Sequence, residues 1–168
     1  MMKLARAFTL VEILIVVVLL AILAVIVIPS LSRGTTMAKE SALASEIGML
    51  RRFMLVYASQ HLEVSPGYPN GNRAAAPTGD TFRDQAMLSS NAQGQTAAVG
   101  APGFKYGPYL SKIPANPFNG KDTVEMLANG QAWPAVADDS AGWICKPQTG
   151  EIRPDNTGGP AGKPYYEY

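Results

Sequence analysis

One charged group in this sequence sits where charge is costly. Glu12 stands at the head of an apolar run, and from Ile13 to Ile28 sixteen consecutive residues carry no charged or polar side chain. A carboxylate at membrane depth costs about 2.5–3.5 kcal/mol or more unless a cation meets it. No Lys or Arg occurs between Arg6 and Arg33. Cutting the chain between Ala7 and Phe8 would create the missing cation, a new α-amino group on Phe8, about one helical turn from Glu12. That amine can pair with Glu12 of its own helix or of a neighbouring copy. The second arrangement would fix the axial register of an assembly. The blander alternative places Glu12 at the water interface, its carboxylate snorkelling without a partner.

Other reactive groups are few. The chain has one histidine, His61, and one cysteine, Cys145, so it can build neither an internal disulfide nor a Cys/His metal site. A serine or cysteine nucleophile needs a positioned base, and His61 falls on a helical stripe, where a packed or capping role is expected. Asp138 and Asp139 are adjacent, so in a strand they would point to opposite faces. No Gly-x-Ser-x-Gly turn or phosphate-binding loop is present. The expectation is a protein that is not an enzyme. A carboxylate site for calcium is left open by this count.

The net charge is +1. Removing residues 1–7 takes Lys3 and Arg6 from the 14 basic residues, against 13 acidic ones, and turns the balance to −1. Nothing in the charge favours nucleic acid.

The elements that must position Glu12 follow from the pattern. Phe8 to Ile28 is 21 residues, roughly 30 Å of helix, enough for a bilayer core. Lys3 and Arg6 on the short side keep that end cytoplasmic, with the bulk of the chain across the membrane. Pro29 is expected to kink the helix rather than end it. Beyond it, Leu43, Ile47, Leu50, Met54, Tyr57 and His61 step by 4, 3, 4, 3 and 4, one helical stripe, with Lys39, Glu46, Arg52 and Ser59 on other faces. The helix should run from about Phe8 to Leu62, roughly 80 Å, and stop before Pro66 and Gly67.

The remainder must cover the stripe. Residues 65–80 read as loop. Asp80 is placed to cap a short helix over Thr81–Ser90, and residues 91–108 read as irregular. Lys121–Leu127 alternates as a strand. Trp143–Cys145 and Glu151–Arg153 flank a turn ending at Gly150, a hairpin pattern. Residues 154–168 read as a loose tail in which Tyr165, Tyr166 and Tyr168 dock. The domain reading is therefore 1–7 leader, 8–29 membrane and polymerisation helix, 30–64 amphipathic helix, and 65–168 loop-rich globular part.

Ala7-Phe8-Thr9-Leu10-Val11-Glu12, followed by the apolar run and Pro29, resembles the prepilin cleavage and methylation motif of type IV pilins and type II secretion pseudopilins. The resemblance covers about 22 residues. It implies cleavage at Ala7/Phe8 by a prepilin peptidase, N-methylation of Phe8, an assembly role for Glu12 and a helix kink at Pro29. The residue before the cut is Ala7, where the family usually has Gly. The implied fold is α+β: a long N-terminal helix packed on a small antiparallel β-sheet. Implied partners are further copies of the chain, minor pseudopilins, an inner-membrane assembly platform and the membrane itself. The implied location is the bacterial inner membrane, single-pass, with a cytoplasmic N-terminus and a periplasmic globular domain that joins a filament on assembly.

Two further segments resemble those of type II secretion pseudopilins. One is Gly107-Pro108-Tyr109-Leu110 with Ile113-Pro114-Ala115-Asn116-Pro117, the other Gly142-Trp143 with Thr149-Gly150-Glu151. They favour a secretion pseudopilin over a type IV pilus subunit. Many major pseudopilins bind calcium in a late acidic loop. Asp138-Asp139-Ser140 is similar in composition but lacks the usual spacing, so no cofactor is expected and the turn is read as acidic and exposed. Two other readings stand beside this one. A removable secretory signal cut after Ser32 would leave Arg33 as first residue. A membrane-tethered binding domain would never polymerise.

Overall fold

The computed structural model describes residues 9–159 and 164–168, with the backbone but not the side chains of residues 25–33. Its elements are α1 (Leu10–Gln60), α2 (Gly79–Met87), β1 (Ser89–Ser90), β2 (Thr96–Ala97), β3 (Val124–Met126), β4 (Trp143–Lys146) and β5 (Glu151–Pro154). Single 3-10 turns cover Pro69–Gly71 and Tyr165–Glu167. The chain divides into two compact units, Met1–Lys39 and Glu40–Tyr168.

In the first unit the helical backbone continues through Pro29, so that proline does not end α1. The start of α1 is written in the sequence. Thr9, just before the first helical residue, accepts the Glu12 backbone N–H on its hydroxyl at 3.2 Å. Its own N–H points back to the Glu12 carboxylate at 3.4 Å. This reciprocal Thr-x-x-Glu arrangement satisfies backbone donors that the first turn of a helix otherwise leaves open.

In the second unit the expected stripe is the core. Leu43, Ile47, Leu50, Met54, Tyr57 and His61 are all buried, and Phe53 joins them. They pack with Phe82 and Ala86 of α2, Ile113, Trp143 and Cys145 of β4, Ile152 of β5 and Tyr165. The helix closes at Gln60, slightly earlier than the sequence pattern set it. The Glu63 N–H reaches the Ala58 carbonyl at 3.0 Å, and Leu62 turns the chain at φ 57°. That is a Schellman closure with leucine where glycine is the usual residue.

The hairpin falls as expected. β4 and β5 pair antiparallel, with Cys145 opposite Ile152 and Lys146 opposite Glu151. β3 lies parallel to β4, Val124 opposite Trp143, so the three-stranded sheet has one parallel edge beside its antiparallel hairpin. The α+β expectation, a long helix with a small sheet, holds. Both sheet faces are covered. Trp143 and Cys145 face the core under α1, while Ile144 packs with Leu127, Ala137 and Tyr166 on the other side, the period-two alternation of a strand.

Three local readings are corrected, and the docking expected of the tail tyrosines is seen. The cap of α2 is Thr78, whose hydroxyl accepts the Thr81 N–H at 3.2 Å, with Asp80 inside the first turn. The helix therefore begins at Gly79 and ends at Met87. Residues 91–108 hold β2, which pairs with β1. The C-terminal tail carries a 3-10 turn in which Tyr165 and Tyr166 are buried, anchored by the Tyr165 hydroxyl on Glu40 at 2.7 Å and the Tyr166 hydroxyl on the Pro134 carbonyl at 2.9 Å.

Loops in this unit are held by buried amides rather than by ladders. Gln85 accepts the Gly67 N–H and donates to the Tyr68 and Gly94 carbonyls, so one side chain ties α2 to two loops. Each such bond stabilises by about 1 kcal/mol, and leaving its partners buried and unmet costs more.

Candidate functional site

Glu12 is exposed and sits in the first turn of α1, where an acid also complements the helix dipole. Its carboxylate lies 3.4 Å from the Thr9 N–H and 3.5 Å from the Thr9 hydroxyl. Both contacts fall on one oxygen, Oε2. Thr9 is a neighbour that charge and hydropathy alone do not reveal, although a threonine three residues before a glutamate is a recognisable signal.

The side chains that follow Glu12 are apolar and uncovered on every face. Leu10 is 83% exposed, and Ile13, Leu14, Val18, Leu20 and Leu23 each expose about half of their surface. A helix apolar all round is stable only when lipid or other helices surround it. The described side chains of this run end at residue 24, and among the described residues no helix is long and apolar enough to cross a membrane. Ala7 and Phe8, the cleavage and methylation positions, lie outside the described residues, as does the side chain of Pro29.

The two globular segments singled out in the sequence meet each other. The Trp143 indole N–H donates to the Pro114 carbonyl at 2.8 Å. Asn116, fully buried, donates to the Gly142 carbonyl at 3.0 Å and to the Asn156 side chain at 3.1 Å. Gly142 has no room for a side chain, since a Cβ there would collide with the Lys121 backbone carbonyl. The Pro-x-Asn-Pro turn and the Gly-Trp strand start are thus one locked corner of the fold.

The acidic turn is not a strand. Asp139 takes φ 60° and Asp138 is exposed, so the expectation of opposite-facing carboxylates does not apply. The buried carboxylate of Asp155 organises the turn instead. One oxygen accepts the Asp138 and Asp139 N–H groups at 3.0 and 3.3 Å. The other accepts the Ala141 N–H at 2.8 Å and the Ser140 hydroxyl at 3.2 Å. Asp138 accepts the Ser140 N–H, and the Ser140 hydroxyl first, then that N–H, hold its carboxyl below the usual range. Asp139 accepts the Thr157 hydroxyl at 2.5 Å and N–H at 3.3 Å.

His61 is locked. Nδ1 lies 2.7 Å from the Tyr57 carbonyl and Nε2 lies 2.9 Å from the Ser90 hydroxyl. Its ring stacks on Tyr57 at 3.7 Å between centroids. Burial pushes its pKa down, against the Tyr57 and Asn91 backbone hydrogen bonds. Cys145 is fully buried, and burial pushes its thiol far up, so it offers no thiolate. Among the described residues no three His, Cys, Asp or Glu side chains gather as a metal set.

A family model described as a prokaryotic N-terminal methylation motif matches residues 2–28. Neither the curated proteins nor the solved structures yield a match. The match spans the Ala7/Phe8 junction, Glu12 and the apolar run, and the family it marks consists of structural subunits. The chain carries, at residues 2–28, the signature of the prepilin-cleavage sequences of type IV pilin-like proteins and pseudopilins.

Proposed function

We propose that this chain is a pseudopilin, a structural subunit that polymerises into a short periplasmic filament of a type II protein secretion system. A prepilin peptidase cuts at Ala7/Phe8 and methylates Phe8. Before assembly the apolar run from Phe8 to Ile28 spans the inner membrane once, its N-terminus cytoplasmic. On assembly the run leaves lipid for the helices of neighbouring copies, and Glu12 meets a Phe8 amine to set register. Minor pseudopilins and an inner-membrane assembly platform are its partners, and it does no chemistry of its own.

The observation that carries the subunit reading is the methylation motif joined to a helix whose apolar side chains are open on every face. Such a surface needs lipid or copies of itself. The preference for secretion over a pilus is supported by the corner in which Trp143 and Asn116 lock together the two segments that resemble type II secretion pseudopilins.

Deleting the gene and restoring it on a plasmid tests the choice. Loss of an exported protein from the medium with surface pili intact supports the secretion filament. Loss of surface pili with export intact points to a type IV pilus subunit for adhesion, motility or DNA uptake. A tethered domain that never polymerises is separated by Glu12→Ala, which leaves such a domain's activity untouched.

A further inference from the structure

The turn at residues 138–141 is rich in the oxygen atoms a hard cation favours, although among the described residues its acids do not converge as a metal set. Three carboxylates (Asp138, Asp139 and Asp155) and three consecutive backbone carbonyls (139, 140 and 141) lie in it or against it. Calcium takes six to eight such oxygens at about 2.3–2.6 Å. The residues do not fit that ion, because protein donors already hold both oxygens of Asp155 and Asp139 and one of Asp138. Asp155 is filled by three backbone N–H groups and the Ser140 hydroxyl. Asp139 is held by Thr157, and Asp138 by the Ser140 N–H. The Ala141 carbonyl accepts from the Asn119 amide at 2.8 Å, and that same amide holds the Asp155 carbonyl at 2.6 Å.

The two remaining carbonyls are taken by a cation that belongs to the chain. Lys121 Nζ lies 2.6 Å from the Asp139 carbonyl and 3.2 Å from the Ser140 carbonyl. Asp139 at φ 60° gives the turn the backbone that serves both. The Lys121 backbone is fixed from two sides, its N–H on the Asn119 side chain at 3.0 Å and its carbonyl accepting the Asn116 N–H at 2.8 Å. The stem therefore starts from a rigid point, and the ammonium bonds are charge-assisted.

We propose that Lys121 is the built-in cation of this turn, closing residues 138–141 in the place a divalent ion would occupy and making the fold independent of calcium. The proposal stands on the turn alone, whichever filament the chain builds.

Thermal melts of the full chain in detergent test it, run in chelator and in about 1 mM calcium, the range in which extracellular calcium modules bind. The wild type is expected to melt at the same temperature in both. Lys121→Met, which keeps the stem and removes the charge, is expected to melt about 3–6 °C lower, and Lys121→Arg to keep most of that loss from appearing. Wild-type protein stabilised by calcium, or Lys121→Met melting like wild type, would overturn the proposal. Should Lys121→Met fail to fold, amide exchange of the wild type decides instead. Protection of the Asp138, Asp139 and Ala141 N–H groups unchanged by calcium supports it, and protection that rises with calcium overturns it.

Discussion

The helical segment from Leu10 to Ala24 and the globular unit from Glu40 onward bury hydrophobic surface in opposite ways. The first displays leucine, isoleucine and valine on all sides and has polar contacts only at its head, where Thr9 and Glu12 cap each other. The second turns one stripe of its helix inward, covers it with a hairpin and a short helix, and ties its loops with buried Gln85, Asn116 and Asp155. A surface apolar all round is unfinished, since it becomes stable in lipid or among its own copies. A one-sided stripe is finished within the chain. Assembly chemistry and fold stability should therefore respond to different residues.

The largest expected effect tests that separation. Glu12→Ala should reduce filament formation by about 100-fold or more, because the Phe8 amine would be left unpaired among apolar helices. Membrane insertion and the melting temperature should stay unchanged, which fractionation and calorimetry read directly. A variant that assembles normally would mean that assembly does not depend on this carboxylate.

Next comes Trp143→Ala, on the other side of it. The indole is fully buried and donates to the Pro114 carbonyl. Its removal should cost about 3–5 kcal/mol, read as the midpoint of denaturant unfolding, and act on filaments only through lost folded protein.

A smaller effect depends on pH. Burial keeps His61 neutral in the folded chain, below its usual pKa of 6.5. Below about that pH the unfolded chain binds the extra proton, so stability falls as the medium is acidified and is unaffected above it. The slope from this one group is at most about 1.4 kcal/mol per pH unit. His61→Gln should be less stable at neutral pH and flatter toward acid in pH-dependent unfolding.

The smallest change should be a gain. Leu62 is 73% exposed and sits at φ 57°. Leu62→Gly should stabilise the unit by up to about 1 kcal/mol by removing a left-handed leucine. A loss of stability in the melt would mean the leucine side chain packs usefully.

What the sequence made legible divides along the same line. Glu12, the apolar run and the Leu43–His61 stripe are local patterns of spacing, and so is the β4–β5 hairpin, whose turn spans a few residues. Phe53 escapes the 4-3-4-3-4 spacing because it lies beside Met54, off the Leu43–His61 stripe, yet it is buried with it. The cap of α2 went to Asp80 because threonine and aspartate are both good caps. Thr78 wins because the backbone is still extended there and turns helical at Gly79. Least legible were the polar locks. Lys121 meets a turn 18 residues away, Asp155 organises one 14 to 17 residues away, and β3 joins β4 in parallel across a connection without helix or strand. No short-range pattern encodes these meetings, since each depends on the folded path of the chain between.

If Phe8 becomes a charged terminus opposite Glu12, mass spectrometry of the mature N-terminus will read it. A chain beginning at N-methylated Phe8 is expected, and one beginning at Arg33 would mean that the apolar run is a removable signal and that Glu12 has no part in the mature protein.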